Sequence, residues 1–303
     1  MLGFSIIICA FNSTGRLRKT LEHISALDYP AELVEIILVD NNSTDGTSDA
    51  AGRIWKDLRN VFSLNIVYED QQGLNYARRR GIYEAKYQFV VFCDDDNWLS
   101  PQYLKIANAI LTQNKAIGVL GGQGIPVTDA DQFPNWFYTY NGGYAVGVQG
   151  VKSGDISERG YVWGACAIAR RDLLSNIFLA GNDLILSGRK AGALAAGDDC
   201  EMCKWFLLAG YKLWYEETML FYHFIPKERL ILEYLDKLMS GFKDSREVLA
   251  FYDEYMQRIV IRQSWYKKPL NWILFELKFF LDRRPNKIKV VRLAMNITKL
   301  LGH

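Results

Sequence analysis

The apolar positions of the first hundred residues come in short blocks that stop abruptly at polar ones. Phe4 to Phe11 closes on Asn12-Ser13-Thr14-Gly15, Val34 to Val39 on Asp40-Asn41-Asn42-Ser43-Thr44-Asp45-Gly46, Leu64 to Tyr68 on Glu69-Asp70-Gln71-Gln72-Gly73, and Phe89 to Cys93 on Asp94-Asp95-Asp96. Runs of this length bounded by turn residues predict buried strands. Between them the spacing is helical. Leu17, Leu21, Ile24 and Leu27 predict a helix that ends before Pro30, a second begins near Thr47 with Asp45 or Ser43 placed to cap it, and Ala77, Arg78 and Gly81 ride a third. This alternation predicts an α/β domain with a mostly parallel sheet flanked by helices, which receives ligands at the carboxyl ends of its strands.

From Lys227 the pattern is helical throughout. Leu230, Tyr234 and Leu238 run beside Ile231, Leu235 and Met239, and Val248, Tyr252, Tyr255 and Ile259 form another stripe, predicting a C-terminal helical extension over 227–303. Pro269 to Leu281 is very apolar and is bracketed by Lys267-Lys268 and Arg283-Arg284. At 13 residues it is too short to span a bilayer, and it suits either a membrane interface or a packed helix.

Charge sharpens that division. The chain has 303 residues, half of them hydrophobic, enough to bury the core of one large domain, and its net charge is +2. Residues 258–303 hold 11 Lys/Arg against 2 Asp/Glu, leaving 25 against 32 for residues 1–257. A basic tail on an acidic body predicts a tail that meets an anionic surface, such as the inner face of the cytoplasmic membrane, and a body that manages its acids with a cation. No nucleic-acid partner is expected. Five cysteines without framework spacing point to a reducing, cytoplasmic setting, and Cys200-x-x-Cys203 lacks the second pair that a zinc site needs. The N-terminus reads as a first strand, having neither the basic region nor the cleavage site of a signal peptide.

The acidic triplet is the strongest chemical signal. Two like charges about 4 Å apart cost roughly 1 kcal/mol in water and more in a cleft, so Asp94-Asp95-Asp96 calls for a cation, and oxygen ligands suit Mg²⁺ or Mn²⁺. The bland alternative is a solvated acidic turn. Asp40, at another strand end, can accept from a base or a ribose. Neither a Gly-x-Gly-x-x-Gly after the first strand nor a Walker loop is present, so metal and side chains must hold any phosphate. Asp198-Asp199 precedes the helical run Met202 to Leu208, where a helix N-terminus keeps carboxylates ionised, although they could simply cap that helix. Gly188-Arg189-Lys190-Ala191-Gly192 is a basic loop suited to closing over a diphosphate, or an ordinary solvated loop.

Taken in order, these segments resemble glycosyltransferase family 2, whose fold is GT-A. The resemblance rests on Ser5 to Asn12, Leu38 to Asp45, Gly73-x-x-x-Ala77-Arg78-x-x-Gly81 and Phe92 to Asp96. It continues through Tyr161-Val162-Trp163-Gly164-Ala165, Gly197-Asp198-Asp199-x-Glu201-Met202, Gly210-Tyr211, Tyr215-Glu216 and His223-x-x-Pro226, covering roughly 4–240. It implies a GT-A domain over 1–226, with a nucleotide-sugar half, 1–122, and an acceptor half, 123–226. It further implies donor contacts from Ala10, Phe11, Asn12, Asp40, Arg78, Asp94 and Asp95, metal contacts from Asp96 and His223, and acceptor contacts from Trp163, Gly164 and Asp198. Asp199 would be the general base. Asp198 stands where the family usually has Glu, and Ala10 replaces a frequent Pro.

The resulting expectation is an inverting, metal-dependent, non-processive transferase that moves a sugar from a nucleotide diphosphate, UDP above all, to a glycan or lipid-linked acceptor in bacterial surface polysaccharide synthesis. Sugar transfer needs a stabilised leaving diphosphate and a base for the attacking hydroxyl, which the residues supply. Aromatic residues of 123–150, among them Trp136, Phe137, Tyr138, Tyr140 and Tyr144, would either stack on sugar rings or pack on the core. The rival readings are a nucleotidyltransferase, whose Gly-rich basic first loop is missing, and a non-catalytic nucleotide-binding scaffold, which would have lost the acidic residues retained here.

Overall fold

The computed structural model describes residues 1–59, 61–188, 196–263 and 269–300. The predicted strands form: β1 (Phe4–Ala10), β2 (Val34–Asp40), β3 (Ser63–Tyr68) and β4 (Phe89–Asp94) pair in parallel, in the order β3-β2-β1-β4. Helices α1 (Leu17–Ser25), α2 (Thr47–Asp57) and α3 (Leu74–Glu84) connect them. Alternation along β1 sends Ile6 and Ile8 to the face covered by α1, α2 and α4 (Tyr103–Gln113), while Ile7 turns to the other, covered by α3 and α6 (Arg171–Leu179). Both faces are therefore buried, as parallel sheets require. Gly81 is needed where α3 crosses β1, since a β-carbon there would lie 2.4 Å from Ile7. Of the two candidates for the cap of α2, Asp45 bonds the Thr47 N–H at 3.0 Å, whereas Ser43 accepts from Asn12.

The second half of the sheet departs from the parallel pattern. β8 (Ile168–Arg170) runs antiparallel to both β4 and β6 (Ile117–Val127), β6 pairs in parallel with β9 (Lys212–Phe224), and β5 (Asn97–Leu99) and the two-residue β7 (Gly154–Asp155) run antiparallel to β9. The short helix α5 (Phe137–Tyr140) lies in the aromatic segment, where Phe137 and Tyr144 are buried in a third cluster with Ile225, Leu235 and Leu238, whereas Tyr138 and Tyr140 are exposed.

The C-terminal region is helical. The second predicted stripe and most of the first lie on one 32-residue helix, α8 (Leu232–Gln263), with Leu230 and Ile231 of the first just before it; the first packs on the aromatic segment, and the second, with Phe251, on α7 (Asp198–Leu208). Then α9 (Pro269–Leu281) and α10 (Pro285–Leu300) follow, α10 burying Val290, Leu293, Ala294 and Ile297. Among the described residues, no helix is long and apolar enough to cross a membrane. The flanking Lys267-Lys268 and the basic loop beyond Gly188 lie outside the described residues.

Candidate active site

A cleft of about 850 Å³ opens at the carboxyl ends of β1 and β4. Asp95 and Asp96 form the turn between β4 and β5, and the register of β5 on β9 sets Asn97 opposite His223. Asp96 thereby comes to face the histidine, its Oδ1 lying 3.6 Å from Nε2. The ring Nδ1 sits 2.6 Å from the Tyr144 carbonyl, which can only accept, so that nitrogen carries a proton and Nε2 is the ring atom turned toward Asp96. The other oxygen of Asp96 accepts from Arg229 at 3.0 Å.

The three carboxylates of the triplet do not converge on one point. Asp95 accepts from Arg16 at 2.7 Å and from the Ser13 hydroxyl, so it ties the first loop and α1 to the turn. Burial, then the neighbouring Asp96, pushes the Asp95 carboxyl up, against the pull of Arg16 and Ser13. Asp94 lines the cleft beside Ala10 and Phe11. The repulsion read from the sequence is thus met in part by two arginines, Arg16 and Arg229, that sequence reasoning did not single out. Arg229 follows three residues after Pro226, so the motif itself marked its neighbourhood.

On the opposite wall, Gly197 takes φ +97° and starts α7, placing Asp198 and Asp199 in the first turn. Their directions differ. Asp198 is buried in an ion pair with Arg78, 2.5 Å apart, and the guanidinium lies over the Phe92 ring. Asp199 lines the cleft, its Oδ2 accepting the Gly164 N–H at 2.8 Å and its Oδ1 the Cys200 N–H at 2.8 Å. Each oxygen retains a second lone pair, so a proton can still be accepted. Arg78, expected on the donor, and Asp198, expected on the acceptor, both line the cleft and also hold each other, bracing the turn that carries Asp199.

Trp163 and Gly164 also line the cleft, whereas Asp40 and Asn12 are not among its lining residues. Asp40 is buried and accepts from the Ser43 N–H at 2.9 Å and the Ser48 hydroxyl at 2.5 Å, and Asn12 accepts the Thr44 N–H at 2.9 Å. Both shape the loops next to the cleft. Asn41, beside Asp40, is the lining residue, and its amide holds the Glu69, Gln71 and Gly73 backbone. Burial raises the Cys200 and Cys203 thiols, Cys203 to about 12, so neither is a thiolate suited to redox or zinc chemistry.

Whether a divalent cation fits can be judged from its donors. Among the described residues, no group of three or more His, Cys, Asp or Glu side chains is arranged to hold a metal unaided. Asp96 with the Nε2 of His223 offers one oxygen and one nitrogen, which suits Mn²⁺ or Mg²⁺ taking its other ligands from water and a diphosphate. The pair fits on that condition.

Residues 5–178 match the family described as Glycosyl transferase family 2. The glycosyltransferase AglE of Haloferax volcanii is 28% identical over 193 residues, 61% of this chain and 58% of AglE. The poly(ribitol-phosphate) β-N-acetylglucosaminyltransferase TarS of Staphylococcus aureus is 27% identical over 134 residues, 42% of this chain and 23% of TarS. The chain thus spans between about a quarter and three fifths of these relatives. The crystal structure of S. aureus TarS 1-349 in complex with UDP-GlcNAc superposes with a TM-score of 0.53 at 20% identity, covering 74% of this chain and 59% of that one. A further structure of TarS 1-349 covers 99% of this chain and 83% of that one, with a TM-score of 0.54 and 16% identity. The fold is GT-A, with its helical C-terminal part present.

Proposed function

The chain belongs to glycosyltransferase family 2 and is a glycosyltransferase, and from that premise we propose that it transfers a sugar from a nucleotide diphosphate, UDP foremost, to an acceptor hydroxyl with inversion, in cell-surface polysaccharide synthesis. The observation that carries this reading is the meeting of Asp199, the acidic turn and His223 in one cleft. In this reading 1–122 would hold the donor and 123–226 would supply most of the acceptor side, with side chains between Arg229 and Leu249 completing the wall. Asp96 and His223 would hold a divalent cation, which would supply positive charge for the leaving diphosphate.

The chain's own residues do the rest. Asp199, set in the first turn of α7 and fixed by Gly164, takes the acceptor proton as the hydroxyl oxygen bonds to the anomeric carbon. The bond to the diphosphate breaks on the opposite face, and the diphosphate leaves with the electron pair. Arg16 and Arg229 place positive charge along that side of the cleft. Asp198 and Arg78 keep the base from drifting, a role for which a desolvated ion pair is suited because breaking it is costly. UDP-GlcNAc and UDP in the TarS complexes support the choice of a uridine donor.

A panel of nucleotide-diphosphate sugars, each tested with Mn²⁺ and with chelator, checks this reading. One nucleotide class should raise the melting temperature, mostly only with metal, and should release nucleoside diphosphate slowly to water. Asp199→Asn should keep the thermal shift while turnover falls about 10²-fold or more. If no donor stabilises the chain under either condition, the donor site is misassigned; if the variant turns over normally, the base lies elsewhere.

A further inference from the structure

The cleft does not end at the reacting groups. Met239, Phe242, Arg246 and Leu249 of α8 line the same cavity as Asp199 and Asp96. Their spacing of three and four residues puts them on one face of the helix. That face reaches the base through a short series of neighbours. Gly164 bonds Asp199, and Trp163 is the next residue. A β-carbon on Gly142 would lie 3.5 Å from the Trp163 ring, and one on Gly143 would lie 3.2 Å from Met239 and 3.5 Å from Phe242. On the other side Gly197, two residues before Asp199, backs onto Ser245, where a β-carbon would stand 2.7 Å away.

Met239, Phe242 and Leu249 are only half-buried. Met239 and Phe242 pack with one side on the third cluster, none of the three is fully buried, and all three line the cleft. A thioether, a phenyl ring and an isobutyl group offer nothing to the hydroxyls and phosphates of a nucleotide sugar. They suit an apolar chain. Arg246, exposed on the same face and in no ion pair among the described residues, adds a cation for a phosphate. We propose that this face of α8 is the aglycone subsite of the acceptor and takes an amphiphile, a saccharide joined through phosphate to an alkyl or isoprenoid chain, whose sugar hydroxyl is then presented to Asp199. The inference rests on the transferase reading and narrows its acceptor from a glycan or lipid-linked one to a lipid-phosphate-linked one seated on α8.

The test measures binding to the full chain loaded with UDP and Mn²⁺, using farnesyl phosphate as the probe below its aggregation threshold and inorganic phosphate and farnesol as controls. Farnesyl phosphate should bind at least tenfold more tightly than either control, because both halves of the subsite are needed. Phe242→Ser and Arg246→Glu should each weaken it roughly tenfold and leave UDP affinity unchanged. Arg246 is exposed, so its variant folds even if the Phe242 variant does not, and UDP affinity reports on folding in both. Equal binding by the wild-type chain and both variants would overturn the proposal, as would much tighter binding of farnesyl phosphate to the chain without UDP, which would put the lipid in the donor site. Failure of the wild-type chain to bind UDP would strike the donor reading instead, and the effect of the two variants on farnesyl phosphate affinity would still decide the subsite.

Discussion

Glu201 shows how a single side chain joins the catalytic turn to the C-terminal helices. It is fully buried, and it accepts the Ile185 N–H at 3.0 Å, the Leu186 N–H at 2.8 Å and the Tyr252 hydroxyl at 2.7 Å. Burial pushes its carboxyl from 4.5 up to about 7, against the pull of those three donors. The folded chain then holds the proton more tightly than the unfolded one. Stability from this group is complete below about pH 4.5 and is lost as pH rises to about 7, a difference of roughly 3 kcal/mol. Glu201→Gln cannot titrate. Chemical denaturation of both proteins at pH 5 and pH 8 should therefore show the wild type losing up to about 3 kcal/mol relative to the variant at the higher pH. A constant difference would mean that the backbone donors keep the carboxylate ionised. Glu201 was legible only as part of a motif, because the network that defines it joins residues far apart in sequence. For the same reason the sequence pointed to Asp199 and His223 but not to Arg16 or Arg229, whose partners are set by how the acidic turn folds.

At the scale of elements, the first four strands were readable because each is an apolar block with a polar end, and the structure places β1 to β4 within a residue or so of those blocks. The antiparallel β8 was not. It has three residues and is held by pairing with β4 and β6, which no local pattern announces. The helix α9 was read as apolar with basic flanks, and its orientation is what the structure adds. Phe279 turns inward, whereas Ile273, Leu274, Leu277 and Leu281 are 45%, 58%, 55% and 77% exposed and fall within one helical stripe. Arg284 is committed to Asp282 and Glu247, so it cannot serve fully as the flanking charge expected of it; Lys278 and Arg283 remain exposed. Four large aliphatics exposed together on one stripe favour attachment to a bilayer interface. Leu274→Glu with Leu277→Glu should lower recovery of the full chain with phosphatidylcholine–phosphatidylglycerol vesicles by tenfold or more without changing its melting temperature. Unchanged flotation would leave the stripe as ordinary surface.

For the whole molecule, the question is whether residues 227–303 are an appendage or part of the fold. Leu235, Leu238, Val248, Phe251, Tyr252 and Tyr255 of α8 are all buried, the first pair among Phe137, Tyr144 and Ile225, the rest beside Trp205 and Met202. At roughly 1.5–3 kcal/mol for each buried side chain, α8 contributes on the order of 10 kcal/mol, as much as the entire net stability of a typical domain. Tyr252 also satisfies Glu201 and accepts from the Trp205 indole at 3.2 Å, so removing α8 would leave two buried polar groups short of a partner. The change of pattern near 227 marks a change of element type, whereas the change of charge comes only at 258, inside α8. A chain ending at Pro226 should accordingly show no cooperative unfolding transition and should bind a hydrophobic dye, whereas the full chain should unfold in one step, with circular dichroism and tryptophan fluorescence coincident. If the shortened chain melted cooperatively near the temperature of the full one and still bound UDP with similar affinity, α8 would be dispensable for the core. Its side chains on the cleft would then be an addition to a self-sufficient enzyme, not the wall without which the cleft cannot form.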